Sequence, residues 1–115
     1  MKWNRLTKQE QIQDIRKESK EKPVLIFKHS TRCNISRTTL DRLERNWKDE
    51  EMNGVKLYFL DLLTYRQISN QLAEEFDVEH QSPQVLLIQD EVSTYNRSHF
   101  EIDYTQLKEV IKNQK

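Results

Sequence analysis

Short apolar runs alternate with amphipathic stretches along the chain, and this alternation predicts an α/β fold. The run PVLIF, which begins at Pro23, is typical of a strand buried on both faces. VKLYFL, from Val55, and QVLLIQ, after Pro83, predict two more strands. Residues 90–91 then turn the chain into a fourth strand over residues 92–95, although the glycine preferred in such turns is absent.

Helices are predicted where apolar residues recur every three or four positions. The segment TKQE, from Thr7, has the spacing of a capping box and starts the first helix. The second spans about residues 34–49, the third follows Thr64, and Asp103 with Gln106 caps the last. The order is helix, strand, helix, strand, helix, strand, strand, helix. It predicts a four-stranded mixed central sheet flanked by helices, with the first two strands parallel and the last two in a hairpin.

Composition narrows the possible partners. A length of 115 residues suits a single domain over residues 1–115. The 19 basic and 19 acidic residues balance, which gives no reason to expect nucleic-acid binding. No apolar window is long enough to span a bilayer, and the N-terminus lacks the apolar core of a signal peptide. We therefore expect a cytoplasmic monomer without a membrane partner.

Cys33 is the only cysteine, so no intramolecular disulfide can form. A lone cysteine in a reducing compartment is by default a small buried hydrophobe. Cys33, however, follows a predicted buried strand and opens a predicted helix, where unpaired N–H groups and the helix dipole favour a thiolate. Arg32 and Arg37 add positive charge on either side. This position makes Cys33 a candidate nucleophile.

Two segments carry a resemblance to a known family. STRCNIS at a strand-to-helix junction, with QSPQVLLI downstream, resembles the thioredoxin superfamily. More closely, FKHSTRC and the following IS, with SPQVLL, resemble the monothiol bacilliredoxins of the bacillithiol system. The resemblance covers nearly the whole chain and implies a thioredoxin-like fold that lacks its first strand.

The resemblance also implies roles for individual residues. Cys33 would be the attacking thiolate, and Ser36 stands where dithiol relatives carry the resolving cysteine. Pro83 matches the cis-proline that faces the active site, and the backbone of Ser82 would pair with an extended substrate. Asn34 is a departure, because relatives usually have proline directly after the cysteine.

The implied activity is a monothiol disulfide oxidoreductase that removes bacillithiol from mixed disulfides on proteins. Bacillithiol would be the thiol co-substrate, and no metal is expected. The partners would be bacillithiol-capped cytosolic proteins and a low-molecular-weight thiol. Arg32, Arg37 or Lys28 would pair with the carboxylates of bacillithiol.

Other interpretations remain open at this stage. The chain could be a non-catalytic thioredoxin-fold adaptor, or a monothiol glutaredoxin-like protein that ligates an iron–sulfur cluster with outside ligands. Gly54 is the only glycine, so the Gly-Gly pair with which glutaredoxins hold glutathione is missing. A Cys–His hydrolase would need His29 or His80 within hydrogen-bond reach of Cys33. For Ser36, simple helix capping competes with a site role.

Overall fold

A mixed β-sheet with helices on both faces organises residues 1–52 and 54–113, the part of the chain that the computed structural model describes. In chain order the elements are β1 (Asn4–Arg5), α1 (Glu10–Glu18), β2 (Val24–His29), α2 (Asn34–Asn46), β3 (Lys56–Asp61), α3 (Arg66–Glu75), β4 (Gln84–Gln89), β5 (Val92–Ser98), a 3-10 turn (His99–Glu101) and α4 (Tyr104–Asn113). Among these described residues, no helix combines the length and apolar character needed to cross a bilayer.

The sheet has the strand order β1-β3-β2-β4-β5. β1, β3 and β2 run parallel, β4 is antiparallel to β2, and β5 forms a hairpin with β4. The predicted parallel pair and hairpin are confirmed. The structure adds β1 to the four predicted strands, and pairs Asn4 with Tyr58 and Arg5 with Phe59. The sequence pattern did not reveal β1, because its two residues are both polar and exposed.

β2 lies at the centre of the sheet, and all six of its residues are buried. Val24 and Ile26 pack with α1 and α3 on one face, whereas Leu25 and Phe27 pack with α2 and α4 on the other. Each fully buried aliphatic or Phe side chain contributes about 1.5–3 kcal/mol to stability. The predicted burial of this strand on both faces is therefore confirmed, and it joins two hydrophobic cores.

Several element ends differ from the sequence prediction. The prediction of a capping box at Thr7 is wrong, because α1 begins at Glu10. The side-chain oxygen of Gln11 instead accepts hydrogen bonds from the backbone N–H groups of Thr7 and Lys8, at 2.8 and 2.9 Å. α2 ends at Asn46, because Trp47 is already extended.

The turn between β4 and β5 forms without glycine. Asp90 and Glu91 both take positive φ angles, of 51° and 70°, as a two-residue hairpin turn requires. β5 then continues to Ser98, beyond the predicted end at residue 95. The predicted cap of the last helix is confirmed, since the backbone N–H of Gln106 donates to Asp103 Oδ2 at 3.3 Å.

Candidate active site

Cys33 lies where β2 passes into α2. The backbone of Cys33 is extended, and the residue is the N-cap of the helix. Its N–H donates to the carbonyl of Ser30 at 3.2 Å, and its carbonyl accepts the N–H of Arg37 at 3.3 Å. The residue is partly exposed, and its thiol is free.

The start of α2 lacks a competing anion. No side chain caps the helix, and its first turn contains no acidic residue. The N–H groups of the first turn therefore face the N-cap without an intrahelical acceptor, which favours negative charge on a sulfur held there. Asn34, the first residue of the helix, is exposed, as are Arg32 and Arg37. The Arg37 guanidinium donates to the carbonyl of Thr31 at 3.5 Å.

Ser36 points into the protein and is fully buried. Its Oγ accepts the backbone N–H of Ser30 at 3.1 Å and lies 2.7 Å from Nδ1 of His29. The hydrogen bonds of this hydroxyl therefore stabilise the loop between β2 and α2, and the hydroxyl does not cap the helix. The helix-capping interpretation is wrong, because the groups that Ser36 contacts lie upstream of the helix.

His29 also belongs to this site, although the sequence analysis considered it only as a possible base for Cys33. Burial lowers its pKa, Arg37 lowers it further, and the carboxylates of Asp61 and Glu44 oppose the shift. A neutral imidazole can accept a hydrogen bond from the Ser36 hydroxyl at Nδ1, and its ring proton then lies on Nε2. Nδ1 of His29 contacts Ser36, and Nδ1 of His80 contacts Lys28 and Ser69. Among the described residues no hydrogen bond joins either ring to Cys33, so the Cys–His hydrolase interpretation finds no support. The apolar run before His29 is the only sequence signal for its burial.

Lys28 is not available to bind a carboxylate at the surface. The whole residue is buried, and its ammonium donates to the carbonyl of Ser69 at 3.2 Å. Nδ1 of His80 lies 3.4 Å away on another side of the same ammonium. Burial lowers the pKa of Lys28 to about 8. The suggestion that Lys28 pairs with a ligand carboxylate is therefore wrong, because its head group faces α3.

Pro83 lies at the beginning of β4, beside the end of β2. The Ser82–Pro83 bond is cis, in agreement with the match to the cis-proline position. The pairing of Lys28 with Gln84 brings this end of β4 next to the strand that leads to Cys33. Among the described residues, neither the N–H nor the carbonyl of Ser82 has a backbone hydrogen-bond partner.

A third segment, the 3-10 turn His99–Glu101, borders Pro83 and was not predicted from the sequence. The backbone N–H of His99 donates to the Pro83 carbonyl at 3.1 Å, and His99 has a positive φ of 55°. The guanidinium of Arg42 in α2 donates to the carbonyls of Phe100 and Ile102. These contacts hold the 3-10 turn against both α2 and the proline segment, while the Phe100 ring remains 58% exposed.

The arrangement has a counterpart among known families. The family model of the monothiol bacilliredoxin BrxC matches residues 4–107, which include Cys33, Ser36 and Pro83. The chain belongs to this family. In this bacilliredoxin, Asn34 is the first residue of α2 and is exposed.

Solved structures with the same fold agree with this assignment. A protein described as a candidate oxidoreductase with a thioredoxin fold matches at a TM-score of 0.78 and 26% identity, over 92% of this chain and 90% of that chain. Fasciola hepatica thioredoxin matches at 0.68 and 18% identity, over 97% and 99% of the two chains. The short form of spinach chloroplast thioredoxin f matches at 0.69 and 19%, over 96% and 91%. The predicted thioredoxin-like fold of the bacilliredoxin is confirmed.

Replacing Ser36 with alanine tests the inward role of its hydroxyl. We expect Ser36→Ala to lower the free energy of unfolding by about 1–3 kcal/mol, because it leaves the buried N–H of Ser30 without a partner. Urea denaturation measures the loss. Thr38→Ala, an exposed change in the same helix, should stay within about 0.5 kcal/mol of the wild type. Equal effects of the two changes would contradict the proposed bond network.

The buried ammonium of Lys28 predicts a pH dependence of stability. Its folded pKa of about 8 lies below the ordinary 10.5, so the unfolded chain binds more protons between these values. The contribution of Lys28 to the free energy of unfolding therefore rises as the pH increases from about 8 to 10.5. The free energy of unfolding of the wild type should rise relative to Lys28→Met across that window. The exposed control Lys17→Met should track the wild type, and parallel curves for all three proteins would contradict the prediction.

Proposed function

We propose that this protein is a monothiol disulfide oxidoreductase that removes bacillithiol from capped cysteines of other proteins. The family and the fold support a thiol redox role. The observation that carries the finer proposal is the partly exposed Cys33 at an uncapped helix start, with buried Ser36 in the position of a resolving cysteine. With one sulfur, the site can exchange disulfides with other molecules and cannot close one internally.

In the first step, the Cys33 thiolate attacks the bacillithiol sulfur of the mixed disulfide on the target protein. The bond between the target sulfur and bacillithiol breaks as the bond between Cys33 and bacillithiol forms. The target cysteine leaves as a thiolate and takes up a proton from water. The target is thereby reduced, and Cys33 carries the cap.

A second bacillithiol thiolate then attacks the bacillithiol sulfur that is bound to Cys33. Bacillithiol disulfide leaves and the Cys33 thiolate is regenerated. In sum, capped protein and bacillithiol yield free protein thiol and bacillithiol disulfide. Bacillithiol thus supplies the two electrons, and no metal takes part in this scheme.

The surroundings of Cys33 support positions for both reactants. Arg32 and Arg37 are exposed and lie one and four residues from Cys33 in the sequence, and guanidiniums suit the carboxylates of bacillithiol. The unpaired backbone of Ser82 suits an extended segment of the target protein, added as a short strand beside Pro83. Asn34 follows Cys33 directly and is exposed, so we propose that its amide contacts the bound thiol substrate.

The cellular setting follows from the same chemistry. A single thiol that exchanges with a low-molecular-weight thiol suits the reducing cytoplasm. The proposed partners are therefore bacillithiol-capped cytosolic proteins, and the bacilliredoxin would act on them as a monomer.

A turnover assay tests this function. A capped protein is incubated with the bacilliredoxin and bacillithiol, and loss of the cap is followed by intact mass. We expect catalytic removal by the wild type and none above the uncatalysed rate by Cys33→Ser, because serine is not a nucleophile towards disulfides at neutral pH. Turnover by Cys33→Ser would refute the mechanism. Binding of the target by both proteins without turnover by either would support an adaptor.

A further inference from the structure

Two buried polar side chains from neighbouring strands hold the segment that precedes the cis-proline. The first is Lys28, the last inward-facing residue of β2 on the side of α1 and α3. Its ammonium donates to the Ser69 carbonyl in α3 and to Nδ1 of His80 in the segment before β4. The hydroxyl of Ser69 lies 3.3 Å from the same His80 nitrogen. The strand end is therefore joined to both α3 and the His80 segment.

The second side chain is Gln84, which pairs with Lys28 across the β2–β4 ladder and is also buried. Its Nε2 donates to the carbonyl of Glu79 at 3.0 Å, and its Oε1 accepts the N–H of Gln81 at 3.4 Å. Lys28 and Gln84 together thus contact all three residues of the segment 79–81, which continues directly into Ser82.

Protonation of His80 is unfavourable in this arrangement. Burial lowers its pKa, and the positive charges of Lys28 and Arg66 lower it further. A neutral His80 can accept a hydrogen bond from the Lys28 ammonium at Nδ1. The contact is thus a hydrogen bond from a cation to a neutral ring.

A buried ammonium without a carboxylate partner costs free energy that an aliphatic side chain in the same place would not. Pure packing does not require a lysine at the end of an apolar strand. The Lys28 ammonium instead forms a hydrogen bond that joins β2 to the segment before Ser82. Cys33 follows Lys28 by five residues.

We propose that Lys28 and Gln84 are positioning residues that fix the backbone of Ser82 relative to Cys33, and so align an extended protein substrate for exchange. The inference rests on the proposed function, in which that backbone receives the target. Small reagents that need only the thiol should not depend on this alignment. A protein or peptide disulfide should depend on it.

Lys28→Met is the direct test, because methionine keeps most of the buried stem and removes the ammonium. The probe is a synthetic cysteine peptide capped with bacillithiol. We expect kcat/KM to fall by about tenfold or more, mainly through kcat, since misalignment of a bound reactant slows the exchange step. Alkylation of Cys33 by iodoacetamide should stay within about twofold of the wild type, as should both reactions of the surface control Lys17→Met.

Variants at His80 supply a rescue. His80→Asn places an acceptor near the position of Nδ1 and should retain most activity, whereas His80→Leu should resemble Lys28→Met. The double variant Lys28→Met with His80→Leu should lose less than the sum of the two single losses, because both changes remove the bond between Lys28 and His80. Additive losses, or peptide kinetics of Lys28→Met within about twofold of the wild type, would overturn the inference.

Hydrogen exchange separates this inference from the proposed function. The amide of Gln81, which donates to Gln84 Oε1, should exchange faster in Lys28→Met by about tenfold or more, while the amides of central β2 remain unchanged. Unchanged exchange at Gln81 would overturn the inference whatever the activity. If Lys28→Met exchanges faster but the wild type shows no turnover, the positioning role stands and the proposed function is refuted.

Discussion

The pairing of β2 with β3 on one side and β4 on the other is the constraint on which the rest of the structure depends. It buries β2 on both faces, so its side chains divide between the two hydrophobic cores. It also sets where the strand ends, because the chain leaves the sheet after His29 and must turn into α2. This register places the end of β2, which leads to Cys33, next to the start of β4, where the cis-proline lies.

The end of β2 changes from apolar to polar while remaining buried, and this change links stability to function. Lys28 faces α3 and His29 faces the loop of Ser36, so consecutive residues secure the two sides of the site. Burying such groups costs free energy unless their hydrogen bonds are made. No buried side-chain nitrogen or oxygen of the described residues lacks a hydrogen-bond partner. The hydrogen bonds of Lys28 and His29 therefore offset part of the cost of burying them.

Local patterns predicted much of this architecture, and long-range contacts account for what they missed. The apolar run of β2 and the helical spacing in α2 depend on neighbouring residues, so both elements were predictable. β1 was not, because its two polar residues belong to the sheet only through β3. The partners of Lys28 lie 41 and 52 residues away in the chain, which no local motif reveals. The position of Cys33 was predictable from the strand-to-helix junction, whereas the inward bonds of Ser36 required the folded loop.

The most direct test of the account is the intact mass of the reduced protein after brief exposure to bacillithiol disulfide, with glutathione disulfide in parallel. The account predicts a single bacillithiol adduct on Cys33 that forms faster than the glutathione adduct and disappears when bacillithiol is added. It would be contradicted by the absence of any adduct, with a thiol that alkylates no faster than free cysteine.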